Sequence, residues 1–348
     1  MRARGHVRSA PSRLRRPLPS GERPQGSRGD LHELARGGML SLIGTVAGGL
    51  LSFSLVVVIT RGLGSAGTGI FFQSIALFTI LETTARLGAD TGLVRMVSMY
   101  RAQGRTDDLA PTLLVGFVPV LAASAAFAIG MFVFAPQLAG VLAEPKHAGQ
   151  VATYLRALAP FLPLATGASV MVAATRGFGT ILPFVALERV GKPLLRPLLA
   201  ISVIAVGMGS AALAVAWAVP VAVELPVALA IVAGLMRRAG AGSLFRSRAT
   251  GLRRLAGDFW GFAAARGLAV LFQVLLMWID VIIVGVLRGA REAGIYAAVS
   301  RLALMGLFLM EAIRIAIAPQ LSGLLARHQH DRAQHLYQVG TWWLISVS

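Results

Sequence analysis

Thr60-Arg61-Gly62-Leu63-Gly64-Ser65-Ala66-Gly67-Thr68-Gly69-Ile70-Phe71 closes one long apolar run and opens the next. A second passage does the same much later, as Arg288-Gly289 followed by Ala293-Gly294-Ile295-Tyr296. Both copies lead, at similar distance, into a polar segment containing arginine: Arg95 to Asp108 and Arg327 to Arg332. The match needs a two-residue gap, so it is stronger in pattern and hydropathy than in identity. A membrane protein built from two repeated halves is most often a transporter, with its site between the halves.

Composition sets the class. Hydrophobic residues make up 56% of the 348 and charged residues 14%, against roughly 45–50% and 25% in soluble domains. Several runs exceed the 18 or so apolar residues of a bilayer span. The expected fold is all-α, a polytopic transmembrane helical bundle with two pseudo-symmetric lobes, the second incomplete. Spans are expected at 39–60, 67–87, 110–134, 151–174, 181–206, 211–236, 259–287 and 293–325, with a ninth beginning near Tyr337. With no cysteine, disulfides and thiolate metal sites are excluded.

The formal charge of +18 follows from where the arginines sit. Nine precede the first span, three fall in the second connection, one, Arg176, in the fourth and six in the sixth. The alternate connections hold few. This bias places the N-terminus and the long basic connection on the cytoplasmic side of the plasma (inner) membrane. Most of the positive charge is therefore topogenic, and nucleic acid is not an expected partner. Residues 1–30, rich in Arg, Pro, Ser and Gly with no apolar h-region, read as a disordered basic cytoplasmic tail that can also contact membrane lipids. Residues 31–236 then form an N-terminal six-helix lobe and 237–258 a basic inter-lobe loop. Residues 259–348 form an incomplete C-terminal lobe, which would need about four more spans to match the first.

Catalytic and nucleotide motifs fail on context. Gly62-Leu63-Gly64-Ser65-Ala66-Gly67 fits G-x-G-x-x-G, but it follows a 22-residue apolar span and reads as a turn. Gly191-Lys192 is followed by Pro193, not Ser or Thr, so it is no phosphate-binding loop. All six histidines lie in the tail or in connections, and His328, His330 and His335 read as solvated residues and not metal ligands. No enzyme, cofactor or metal is implied.

Charge inside the membrane is expensive and is either functional or paired for structure. Glu82 and Arg86 are spaced to pair on one helix face, as are Glu311 and Arg314. Arg156 lies just inside the fourth span. Arg189, Lys192 and Arg196 have an ordinary explanation in snorkelling to the near surface. Glu224 sits mid-span between Pro220 and Pro226, which can open the helix. Asp280 lies on the seventh span. Arg266 and Arg301 have no obvious partner in sequence and are the best candidates to line a hydrated cavity. The cationic excess suits an anionic substrate, because the planar guanidinium donates two hydrogen bonds to a phosphate at once.

Several words resemble polysaccharide, O-antigen and teichoic-acid export flippases of the multidrug/oligosaccharidyl-lipid/polysaccharide superfamily. They are Ala35-Arg36-Gly37-Gly38, Thr60 to Gly64, Gly67 to Phe71, Gly88-Ala89-Asp90-Thr91-Gly92-Leu93, Tyr100-Arg101 and Glu292 to Tyr296. Family members have twelve to fourteen spans, so this chain departs by stopping short. The resemblance implies a lipid-linked glycan substrate, a polyprenyl-pyrophosphate oligosaccharide moved to the outer leaflet for cell-surface polysaccharide assembly. It also implies a polysaccharide polymerase or glycosyltransferases as partners. An inside-negative potential favours outward movement of an anion by about 2.3 kcal/mol per charge per 100 mV. Arg266 and Arg301, then Arg86 and Arg156, are the expected pyrophosphate contacts. Glu82, Glu224, Asp280 and Glu311 are the coupling or structural acids. A cation-coupled multidrug exporter of the same superfamily and a non-transporting membrane scaffold are the alternatives.

Overall fold

The structure, a computed structural model, describes residues 27–241, 252–303 and 329–347. The expected tail up to residue 26, the middle of the basic connection, Glu311 and Arg314 lie outside the described residues. Helix α1 runs Ser27–Arg86. At 1.5 Å per residue a straight helix of its 60 residues would be about three times the thickness of a hydrocarbon core. It breaks at Gly64, where φ is 68° and ψ −177°, a backbone region open almost solely to glycine. Leu55 and Val56 before the break share one cavity wall with Ile75 and Phe78 after it, so the second arm folds back beside the first. The expected turn between the first two spans is thus a single-residue break.

The chain continues through α2 (Ala89–Ala102), α3 (Leu109–Val133), α4 (Ala135–Leu142), α5 (Pro145–Leu158) and α6 (Phe161–Gly177). Next come a π-helical segment (Phe184–Gly191), α7 (Lys192–Ala205), α8 (Ser210–Arg238) and α9 (Leu252–Arg288). Residues 290–303 form α10, and α11 spans His330–Val347. Among the described residues four helices are long and apolar enough to cross a membrane; α5 and α6, bent by 48°, add a fifth crossing if they count as one span. The expected fourth span is therefore a broken one. In α8, by contrast, helix continues through Pro220 and Pro226.

The fifth expected span also departs from a plain α-helix, and Pro193 explains why. It has no N–H to offer the carbonyl of Arg189, four residues earlier, and its ring crowds that carbonyl. The ladder widens to π spacing, and the Arg189 carbonyl turns into the notch left by Gly48 on α1. Val185 packs at Gly44, one turn away. Small residues four apart let the two backbones approach this closely.

The end of the bundle carrying α2 and the α6–α7 turn is termed the basic end. There Leu93, Leu109, Leu113, Met236 and Phe259 form one apolar cluster. A second cluster, around Ile59, Phe71, Ile75, Tyr154 and Leu158, fills the rest of the bundle. The two copies of the repeat touch directly. A Cβ on Gly69 would strike the Ala290 carbonyl and stand 2.8 Å from the Gly294 nitrogen. One on Gly294 would strike the Ser65 carbonyl and stand 2.8 Å from the Gly69 nitrogen. Each residue meets its partner's counterpart, as a local two-fold relation requires. Beside this crossing Gln73 donates to the Leu142 carbonyl at 2.9 Å and fills the notch at Gly285. Glu144 reaches Gly289, just before α10. A hydrogen bond from the Lys146 ammonium, with its charge, holds the Glu144 carboxyl below its usual range, so a negative charge faces a helix N-terminus.

Backbone contact of this kind leaves no room for a methyl group. Gly69→Ala and Gly294→Ala are expected to destabilise the protein by about 1–3 kcal/mol, whereas Gly130→Ala, which meets open space, is expected to be neutral or stabilising. Thermal unfolding in detergent checks the contrast.

Candidate functional site

A cavity of about 580 Å³ opens between α1, α2, α6, the π segment, α7, α8, α9 and α10. Apolar walls come from Leu55, Val56, Phe72, Ile75 and Phe78. Charge comes from five cations, Arg86, Arg176, Lys192, Arg196 and Arg301, and three acids, Glu82, Asp90 and Glu188.

These charges are placed in three ways. The first is ion pairing. Arg86, at the end of α1, donates to Glu82 at 3.1 Å and lies 3.7 Å from Asp90. It also donates to Thr83 at 3.0 Å. Lys192 stands between two acids, 2.5 Å from Glu188 and 3.1 Å from Glu224. Glu188 also accepts from Ser169 at 3.2 Å. Glu224 is 3% exposed, and neither of its oxygens accepts a hydrogen bond of good geometry. Lys192 therefore serves Glu188 first and balances Glu224 mainly as a charge.

The second way joins an aromatic face to a carbonyl. The Arg196 guanidinium lies 3.8 Å over the Trp217 ring, and its Nε donates to the Trp217 carbonyl at 3.1 Å. The third is an aromatic face alone. Arg301 lies 3.9 Å over Trp278 and 6.0 Å from Phe72. Asp280 offers it no ion pair: its carboxylate accepts from the Tyr296 hydroxyl at 2.8 Å and from the Val281 amide. Among the described residues, buried N–H groups without a protein partner remain at Arg86 Nε, Arg176 Nε and Arg301 Nη2.

Of the residues expected from sequence, the structure brings Arg86, Glu82 and Arg301 to the cavity, with Glu224 immediately behind Lys192. Arg156 and Arg266 are exposed and outside its lining, and Asp280 faces Tyr296. Lys192 and Arg196, which snorkelling would have carried to the surface, instead line the interior. Arg176, whose charge reads as topogenic, does so too. Spacing held one signal for these: Glu188 and Lys192 stand four apart, one turn before Arg196.

Removing Lys192 leaves two acids without their common cation. Lys192→Met is expected to cost about 3–5 kcal/mol, the scale of a broken buried ion pair. Adding Glu188→Gln and Glu224→Gln is expected to restore much of it. Unfolding midpoints of the single and triple variants check this.

The profile of the family described as "Polysaccharide biosynthesis protein" matches residues 34–324. Two solved structures share the fold at 16% identity. One is the MATE multidrug transporter DinF-BH in a ligand complex, with a TM-score of 0.60 over 93% of this chain and 72% of that one. The other, described as "protein A", has a TM-score of 0.64 over 85% and 65%. No curated protein matches the chain significantly in sequence.

Proposed function

Because the chain belongs to the polysaccharide biosynthesis protein family and has the fold of a membrane transporter, we propose that it flips a polyprenyl-pyrophosphate-linked oligosaccharide between leaflets. The pyrophosphate and sugars pass through the cavity while the lipid tail stays in the bilayer. A glycan and a pyrophosphate cannot cross hydrocarbon unaided, since desolvating them is too costly. Fixed cations in a hydrated cavity lower that cost. The basic end is cytoplasmic in this reading, in the plasma (inner) membrane, so cargo travels outward with an inside-negative potential behind it. Glycosyltransferases or a polymerase would act before and after it.

The observation that carries the reading is Arg301. Its guanidinium faces the cavity, lies over the Trp278 ring and, among the described residues, keeps a buried N–H unspent. A phosphate oxygen suits that donor, and Arg86 adds a second from α1. Each acid on the cavity already has a cation beside it. A cation-coupled drug exporter would need an acid free to hold its ion, so the pairing favours an anionic cargo.

Arg301→Ala in the full-length protein is expected to lower glycan export, and binding of the lipid-linked glycan in native mass spectra, by about ten- to a hundred-fold. That is the worth of one or two hydrogen bonds between charged groups. Arg266→Ala and Arg156→Ala serve as comparison and are expected to behave as wild type. Wild-type export by Arg301→Ala would overturn the assignment.

A further inference from the structure

Two cations at the basic end share one aromatic ring. Arg176, in the last turn of α6, lies 4.7 Å from the Phe184 ring centre, and Arg189, in the π segment, lies 5.4 Å from it. Among the described residues neither has a carboxylate at ion-pair distance, unlike Arg86 and Lys192 nearby. Arg176 also keeps a buried Nε–H without a protein partner. Two like charges on one ring repel each other, and they do so more strongly where water is scarce. The fold holds them there all the same.

The backbone is packed on both sides. Arg189 is fixed through its carbonyl in the Gly48 notch, because Pro193 denies that carbonyl its helical partner. Gly177, the residue after Arg176, packs against Val97 and the Leu93 carbonyl, and its own carbonyl accepts from Ser98 at 3.2 Å. Both guanidinium groups are therefore carried into place beside the ring by backbone that is itself packed. A third charge of opposite sign would relieve the pair, and two guanidinium planes suit an anion with several oxygens. π-helical segments are themselves frequent at functional sites.

We propose that Arg176, Phe184 and Arg189 form a second anion site, at the basic end of the cavity and distinct from Arg301, that holds the phosphate of a lipid headgroup. Phe184 and Arg176 belong to the cavity wall, so a headgroup held here stands at the end of the path that leads inward to Arg301. Beside it α7 exposes Leu194, Leu198 and Ile201 along one face, a track on which an apolar chain can lie. The phosphate has two possible sources, a polyprenyl pyrophosphate or a bilayer phospholipid. For the first, the site receives cargo before the cavity does, and this part alone rests on the flippase reading.

The test is native mass spectrometry of the full chain titrated with undecaprenyl pyrophosphate, phosphatidylglycerol and undecaprenol. Arg176→Ala and Arg189→Ala are expected to weaken undecaprenyl pyrophosphate about ten-fold, with undecaprenol unchanged. Arg176→Lys and Arg189→Lys keep the charge without the planar fork. They are expected to lose part of the affinity, and they decide the matter should the alanine variants fail to fold. Loss for undecaprenyl pyrophosphate alone assigns the site to cargo, and equal loss for phosphatidylglycerol assigns it to bilayer lipid. Wild-type binding of both phosphorylated probes would overturn the site, as would an equal loss of undecaprenol. If Arg301→Ala then still lost the pyrophosphate lipid, the cavity reading would stand without it. Should Arg301→Ala bind as wild type while the Arg176 and Arg189 variants lose phosphatidylglycerol, the headgroup site would stand without the flippase reading.

Discussion

A guanidinium or ammonium group inside a bilayer is tolerable only when something replaces its water, and the interior of this protein is arranged around that need. Glu82 and Asp90 serve Arg86, and Glu188 and Glu224 serve Lys192. The indole and carbonyl of Trp217 serve Arg196. For Arg301 and Arg176 the replacement is incomplete, an aromatic ring beside the group and an edge N–H unspent, and Arg86 likewise keeps its Nε–H. The fully paired cations hold helices together. Those with an unspent N–H retain the capacity to bind an anion.

Such placement depends on helices that come very close. At Gly69 and Gly294 the two copies of the repeat meet backbone to backbone. At Gly88 and Gly267 the start of α2 meets α9 in the same manner, and at Gly44 and Gly48 the π segment meets α1. Except at Gly44, where the Val185 side chain packs, backbone meets backbone at these points, so small residues set both distance and direction. The helices carrying Arg86, Arg189 and Arg301 each have such a contact, which fixes where their side chains enter the interior. Pro193 adds a local effect: one missing N–H widens the ladder and frees the carbonyl that fits the notch.

Asp280 and Glu224 show how two acids of similar standing in the sequence come to differ. Asp280 is held by Tyr296 and its own following amide, on the same side of the molecule as α9 and α10. Glu224, on α8, is buried, and among the described residues Lys192 is its ion-pair partner.

The all-α membrane class, the repeat and the glycine-rich break between the first two spans are legible in the order of residues alone. Hydropathy, charge bias and backbone freedom are local sums that survive in one dimension. Arg86 and Arg301 also stand out there, because unpaired or i,i+4-paired charge within an apolar run is visible without coordinates. The same reading could not separate Arg301 from Arg266, equally lone in the sequence, nor recover Arg176, Lys192 and Arg196 from the topogenic and snorkelling charges. Whether an arginine on a membrane helix faces lipid, a neighbour or a cavity depends on that helix's rotation about its axis. That rotation is settled only in three dimensions, because it is fixed by contacts such as Gly48 with Arg189 and Gly69 with Gly294, between residues far apart in the chain.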